Sequence, residues 1–83
     1  MSLDDRNRAY LWDITEACKD IIGFIKGISY EEFSENKLIR YAVERQIMVI
    51  GEAANHLSDG FMSDTPQIPW KRIIGLRNII AHE

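Results

Sequence analysis

Apolar residues recur at steps of three and four positions in the first third of the chain, which is the spacing of one face of an α-helix. Asp4 or Asp5 can cap the start of this helix, and Gly27 can end it. The sequence therefore predicts a long first helix that stops shortly before Gly27. Its apolar face would consist of Leu11, Ile14, Cys18, Ile21 and Ile25.

A short helical turn and a second long helix are predicted next. Ser29 precedes Glu32 by three residues, which is the spacing of a capping box, and Asn36 can cap the longer helix. We expect that helix to end near residues 58–60. Two neighbouring apolar stripes run along it, so it should be covered on more than one side. They are formed by Ile39, Val43, Ile47, Ile50, Ala54 and Leu57, and by Ala42, Val49 and Ala53.

The last third of the chain predicts a loop and a third helix. Thr65 and Pro66 favour a loop or short irregular turn over residues 61–68. Pro69 suits the first position of a helix, where a backbone N–H is not needed, and Gly75 could kink that helix. No alternating strand pattern is present in the sequence, so the predicted fold is a single all-α domain, an antiparallel helical bundle over residues 1–83. The apolar residues of the third helix are Ile73, Ile74, Leu76, Ile79 and Ile80.

The size of the chain suggests that this bundle needs a partner. Eighty-three residues are close to the lower limit for an independent core, and such a core alone rarely supplies more than about 3–5 kcal/mol. The two stripes on the second helix also require more cover than two other helices give. Either a further helix follows in the natural protein, or a second subunit covers the open face.

The charge of the chain is uneven. Its net charge of −3 argues against binding nucleic acid through overall charge. Residues 1–69 contain seven basic and twelve acidic side chains, whereas residues 70–83 contain Lys71, Arg72 and Arg77 against Glu83 alone. The end of the chain is therefore its only locally basic part.

Cysteine usage and the distribution of apolar residues predict a cytoplasmic protein. No apolar run approaches the roughly 20 residues that span a bilayer, and the acidic, polar start is unlike a secretory signal. Cys18 is the single cysteine, which excludes an internal disulfide and fits a reducing compartment. We expect Cys18 to be buried as a small apolar side chain. No metal-ligand spacing is present, so no metal or cofactor is predicted.

Arg77, Asn78 and His82 stand close together in an otherwise apolar segment. Arg77 and His82 are about 140° apart around an ideal helix, whereas Asn78 shares a face with His82. The long Arg77 side chain could turn towards that face, or a two-fold axis could bring Arg and His from two subunits into one cleft. Imidazole can move a proton to or from a 2′-hydroxyl or a leaving oxygen, and guanidinium can bind a phosphate. These residues suit RNA cleavage without a metal.

The same residue types also have structural interpretations. A solvated arginine and a terminal histidine that complements the helix dipole are common, and His56 near the end of the second helix fits such a role. Glu52 could orient Arg77 or His82, although ion pairing is the more usual role of such a carboxylate. Trp12 and Trp70 are expected to be core or interface aromatics.

The segment RNIIAH, residues 77–82, matches the Arg–(four residues)–His motif of HEPN-domain ribonucleases, including the polar residue after the arginine. The motif alone is weakly specific, but the sequence around it is much more specific. The stretches AVERQIMVIGEAANHLS (42–58) and IPWKRIIGLRNIIAHE (68–83) resemble the HepT subgroup, which are HEPN toxins paired with a minimal nucleotidyltransferase antitoxin. The resemblance extends from about Asp5 to the last residue.

This resemblance implies an all-α HEPN bundle that forms a homodimer and cuts RNA, without a metal, in a cleft shared by two subunits. Arg77 and His82 carry over as the catalytic pair, and Asn78 as the supporting polar residue. The antitoxin would adenylylate a tyrosine two residues beyond the histidine. That position and the family's final long helix are absent from this sequence, so we expect a C-terminally truncated chain.

Two alternatives remain open from the sequence. The incomplete bundle and the acidic residues 1–69 also fit a non-catalytic module for dimerisation or antitoxin binding. The other alternative is a HEPN domain that binds a nucleotide, with Arg77 contacting a phosphate.

Overall fold

The computed structural model describes residues 2–82, most of which are helical. No strand occurs among these residues, so the predicted all-α fold is confirmed. Three long helices form the body, and two short ones connect them. The helices are α1 (Leu3–Ile25), α2 (Tyr30–Glu35), α3 (Lys37–Asn55), α4 (Asp59–Asp64) and α5 (Trp70–Ala81).

Helix α3 is the centre of the bundle, because both α1 and α5 pack against it. Asn7 near the start of α1 is hydrogen-bonded to Ser58, which follows the end of α3. At the opposite end, Ile21 of α1 and Val43 of α3 line the same small cavity. Helices α1 and α3 are therefore antiparallel, as the sequence predicted.

Helix α5 is also antiparallel to α3. Trp70, its first residue, packs in a buried cluster with Ala54 and Leu57 from the end of α3 and the turn after it. One turn earlier on α3, Gly51 lies against Arg77, which is farther along α5. The Trp70 indole N–H donates to the Thr65 hydroxyl at 2.9 Å, which ties the start of α5 to the preceding turn.

Most of the predicted helix ends are confirmed by their capping hydrogen bonds. The Ser29 hydroxyl accepts from the Glu32 backbone N–H at 3.0 Å, and the Asn36 side chain accepts from the Ile39 N–H at 3.1 Å. Gly27 follows α1 with a φ of +77°, a conformation that glycine adopts without a Cβ clash. The N-cap of α1 was predicted wrongly.

The residue that caps α1 is Ser2, whose hydroxyl accepts from the Asp5 N–H at 3.1 Å. Asp4 and Asp5 lie in the first turn instead, where their charge complements the helix dipole.

The connection between the second and third long helices differs from the prediction. Helix α3 ends at Asn55 rather than near residues 58–60, and α4 occupies part of the segment predicted as a loop. The cause is Ser58, whose hydroxyl accepts from the Phe61 backbone N–H at 3.1 Å and so begins a new helix. Helix α5 starts at Trp70, with Pro69 as the residue before it.

The core is small. Its buried apolar residues are Ala17, Val43, Ala53, Ala54, Leu57 and Trp70. Cys18 was expected to be buried but is exposed, because α1 turns Ala17 towards α3 in its place. Trp70 is a core aromatic as predicted, whereas Trp12 is 65% exposed. None of the helices in the described part of the chain is long and apolar enough to cross a membrane.

Candidate active-site cleft

An open cleft of about 460 Å³ lies where α1, α3 and α5 meet. It contains side chains of both charges as well as aromatic and apolar groups, which suits a polar ligand better than a purely apolar one. Helix α3 contributes most of its surface. The lining residues are Tyr10, Asp13, Arg45, Met48, Val49, Glu52, Ala53, His56 and Arg77.

Arg77 enters this cleft because α5 approaches α3 closely at Gly51. Gly51 is buried, and a Cβ atom placed on it would collide with Cβ of Arg77 and lie 2.6 Å from its Cγ. The aliphatic stem of Arg77 therefore rests directly on the backbone of α3. Only a residue without a side chain allows this contact.

The guanidinium group of Arg77 is held at both terminal nitrogens. Its Nη2 forms an ion pair with Oε2 of Glu52 at 2.9 Å, and its Nη1 donates to Oδ1 of Asn78 at 3.0 Å. The Arg77 side chain is 32% exposed, and its Nε is buried without a hydrogen-bond partner in the described part of the chain. Arg77 is thus fixed in direction, and its partly exposed side chain lines the cleft.

Glu52 also contacts a histidine of its own helix. Its Oε1 lies 3.3 Å from Nε2 of His56, which is the C-cap residue of α3. The His56 ring stacks on Tyr10 of α1, with 5.0 Å between ring centroids and 13° between ring planes. Tyr10, His56, Glu52 and Arg77 therefore form one connected network across three helices.

Tyr10 was not among the site residues predicted from the sequence, and His56 was expected to complement the helix dipole. One signal was available in the sequence, since Glu52 and His56 are four residues apart on a helix and so share a face. Nothing in the spacing pointed to Tyr10, because its contact with His56 depends on how α1 packs against α3.

His82 lies apart from this network. It is the exposed C-cap residue of α5, and its backbone N–H donates to the carbonyl groups of Ile79 and Ile80. Its ring is not part of the cleft lining, and no hydrogen bond joins it to Arg77 among residues 2–82. The structure therefore brings Arg77 and Asn78 together but leaves His82 at the outer end of the helix.

The charges in the cleft are balanced, with Arg45 and Arg77 against Asp13 and Glu52. In the part of the chain that the structure describes, no group of three or more His, Cys, Asp or Glu side chains is arranged to hold a metal ion.

Comparison with known proteins identifies the family. The model of the ribonuclease HepT-like family matches residues 14–83. The chain is 47% identical over 76 residues to "Putative RNase MJ1380" of Methanocaldococcus jannaschii, covering 92% of this chain and 70% of that protein. It is 43% identical over 76 residues to "Putative RNase MJ1216" of the same organism, covering 92% and 63%.

A third relative comes from a different organism. The chain is 34% identical over 76 residues to "Probable ribonuclease HepT" of Thermococcus cleftensis, covering 92% of this chain and 69% of that protein. The chain thus spans between 63% and 70% of the length of these three relatives. No solved structure gives a significant match. With the family model matching most of its length, the chain belongs to the ribonuclease HepT-like family.

Proposed function

We propose that this protein is the toxin of a toxin–antitoxin pair, an endoribonuclease that cuts RNA without a metal ion at a site formed by two copies of the chain. Membership of the ribonuclease HepT-like family supports the substrate class. Arg77 and His82 are the proposed catalytic residues, and Asn78 supports Arg77.

The proposed reaction is a transfer of the phosphodiester to the neighbouring 2′-hydroxyl. The 2′-oxygen forms a new bond to phosphorus, the bond to the 5′-oxygen breaks, and the products are a 2′,3′-cyclic phosphate and a free 5′-hydroxyl. The 2′-hydroxyl loses a proton as it attacks, and the leaving 5′-oxygen gains one. The imidazole of His82 carries out one of these two transfers, and water exchanges the other proton. The guanidinium of Arg77 binds the phosphate oxygens, where negative charge develops.

The observation that carries this proposal is the way Arg77 is held. Its stem is pressed on Gly51, its two terminal nitrogens have partners, and its side chain lines the cleft. Such a fixed cation costs little reorganisation when a phosphate arrives. A solvated surface arginine would have none of these restraints.

The position of His82 supports a site built from two copies. His82 is exposed at the end of α5, and the neighbouring Leu76 and Ile79 are 45% and 64% exposed. Leu76 and Ile79 are three residues apart and share a helix face, so they offer apolar contact area to another subunit. A second copy packed there would bring its own Arg and His close to this helix end.

Cleavage of RNA in EDTA tests the catalytic assignment. We expect both Arg77→Ala and His82→Ala to lose about a hundredfold or more in kcat/KM, since each removes a group used in the transition state. Arg72→Ala is the matched control, because Arg72 lies on the same helix, is exposed and is outside the cleft lining. Arg72→Ala should keep near-parental activity. Undiminished cleavage by the Arg77 and His82 variants would disprove the assignment.

The proposed partner is a minimal nucleotidyltransferase antitoxin, which the resemblance of residues 42–58 and 68–83 to the HepT subgroup implies. The proposed location is the cytoplasm, where RNA is available.

A second candidate function is a non-catalytic dimerisation or antitoxin-binding module. The exposed Trp12, Leu76 and Ile79 favour it, because they offer apolar contact area. It predicts a stable dimer without ribonuclease activity, so RNA cleavage that depends on Arg77 would exclude it.

A further inference from the structure

Glu52 contacts two other members of the cleft network through different oxygens. Its Oε2 is 2.9 Å from Nη2 of Arg77, and its Oε1 is 3.3 Å from Nε2 of His56. We infer that Glu52 is the positioning residue of the proposed ribonuclease site, which fixes the direction in which Arg77 presents its guanidinium to a phosphate. This inference rests on the proposed function.

The close approach at Gly51 explains why residue 52 has this role. The Arg77 stem lies on the backbone of Gly51, and its guanidinium turns along α3 to reach Glu52. Glu52 is the next residue on α3 and lines the same cleft. The other cleft carboxylate, Asp13 of α1, forms no ion pair with Arg77 in the described part of the chain.

The carboxylate of Glu52 is itself restrained by His56. The His56 ring stacks on Tyr10, so it stays over α1 and keeps one oxygen of Glu52 occupied. Rotation of the carboxylate away from Arg77 would break this second contact. Tyr10 and His56 therefore hold the Glu52 carboxylate in place, and Glu52 in turn holds the Arg77 guanidinium.

This arrangement limits how many N–H groups of the guanidinium can meet a phosphate. Arginine has five N–H donors, two on each terminal nitrogen and one on Nε. The Nε of Arg77 is buried, and one N–H of each terminal nitrogen goes to Glu52 or Asn78. One N–H on Nη1 and one on Nη2 remain available to phosphate oxygens.

The first test observes Arg77 directly and requires no activity. The side-chain N–H signals of Arg77 are recorded by NMR in the parent, in Glu52→Gln and in Glu16→Gln. Glu16 is a matched control because its carboxylate is ion-paired with Lys19 on α1, outside the cleft. Glu52→Gln should shift the Arg77 signals and speed rotation of its guanidinium, whereas Glu16→Gln should leave them unchanged. Unchanged Arg77 signals in Glu52→Gln would overturn the inference.

The second test measures RNA cleavage. Glu52→Gln should lower kcat/KM by about tenfold, because a misdirected Arg77 guanidinium stabilises the transition state less even when the RNA still binds. In an Arg77→Ala background the same substitution should have no further effect, since residues that act as a unit are not additive. A general loss of structure would instead lower activity in both backgrounds.

Two outcomes separate this inference from the proposed function. If Glu52→Gln raises kcat/KM, the carboxylate competes with the phosphate for Arg77, and the positioning role is wrong. If Arg77→Ala itself keeps full activity, the proposed function fails. The NMR result then still shows whether Glu52 directs Arg77.

Discussion

At the scale of single residues, Gly51 has the largest effect on the cleft. It is buried in α3, and the space its side chain would take is filled by the stem of Arg77. Glycine costs a helix interior about 0.5–1 kcal/mol relative to alanine. That cost is offset by a contact between α3 and α5 that no larger residue would allow, and this contact places Arg77 next to Glu52.

We expect Gly51→Ala to destabilise the protein by about 1–3 kcal/mol, because its Cβ would meet Arg77 atoms close to the α5 backbone, which cannot move aside alone. Urea unfolding followed by circular dichroism measures this change. Gly23→Ala is the matched control in α1, where nothing lies within 4 Å of an added Cβ. It should stabilise the protein by about 0.5–1 kcal/mol. A stabilised Gly51→Ala variant would contradict the close approach.

At the scale of helices, the bundle is held by side chains that join one element to another. Asn7 of α1 is buried, and its Oδ1 accepts from the Ser58 backbone N–H at 3.0 Å while its Nδ2 donates to the Ser58 hydroxyl at 3.0 Å. The same hydroxyl caps α4. Asn7 therefore links the start of α1 to the junction of α3 and α4, close to the stacked Tyr10 and His56.

Asn7→Ala should lower the free energy of unfolding by about 1–3 kcal/mol, because the Ser58 N–H loses its acceptor in a partly buried position. Thermal or urea unfolding provides the measurement. Asn55→Ala serves as the control, since Asn55 is an exposed residue at the end of α3, and its effect should stay within about 0.5 kcal/mol. Equal effects of the two substitutions would mean that the Asn7–Ser58 link contributes little.

At the scale of the whole molecule, the two proposed catalytic residues are on different sides of α5. Arg77 faces α3 and the cleft, whereas His82 is exposed at the helix end. Five residues of helix turn the chain by about 140° past a full turn, so one copy does not direct both side chains at the same point. A symmetric dimer can combine the arginine of one subunit with the histidine of the other.

Complementation tests this cross-subunit pairing. A heterodimer of Arg77→Ala and His82→Ala chains, purified through two different tags, has one site with both residues intact if the pair is shared between subunits. We expect it to recover about half of the parental rate, because one of two symmetric sites is restored. The two homodimers should be inactive. A heterodimer as inactive as the homodimers would show that both residues act within one chain.

Much of the local structure could be predicted from the sequence. The Ser29 and Asn36 caps and the turn at Gly27 were predicted correctly, because each depends on residues within a few positions of one another. The exposure of Cys18 and helix α4 were not predicted. The exposure of Cys18 depends on the rotation of α1 about its axis, and α4 depends on a single serine cap.

The sequence by itself determined the all-α class, the long helices and the motif that places Arg77, Asn78 and His82 near one helix end, since periodicity and capping are local properties. Only the tertiary structure decided that Arg77 lies on Gly51 and pairs with Glu52, and that His56 stacks on Tyr10. These contacts depend on the distance and rotation between packed helices. Spacing along the chain does not specify either quantity.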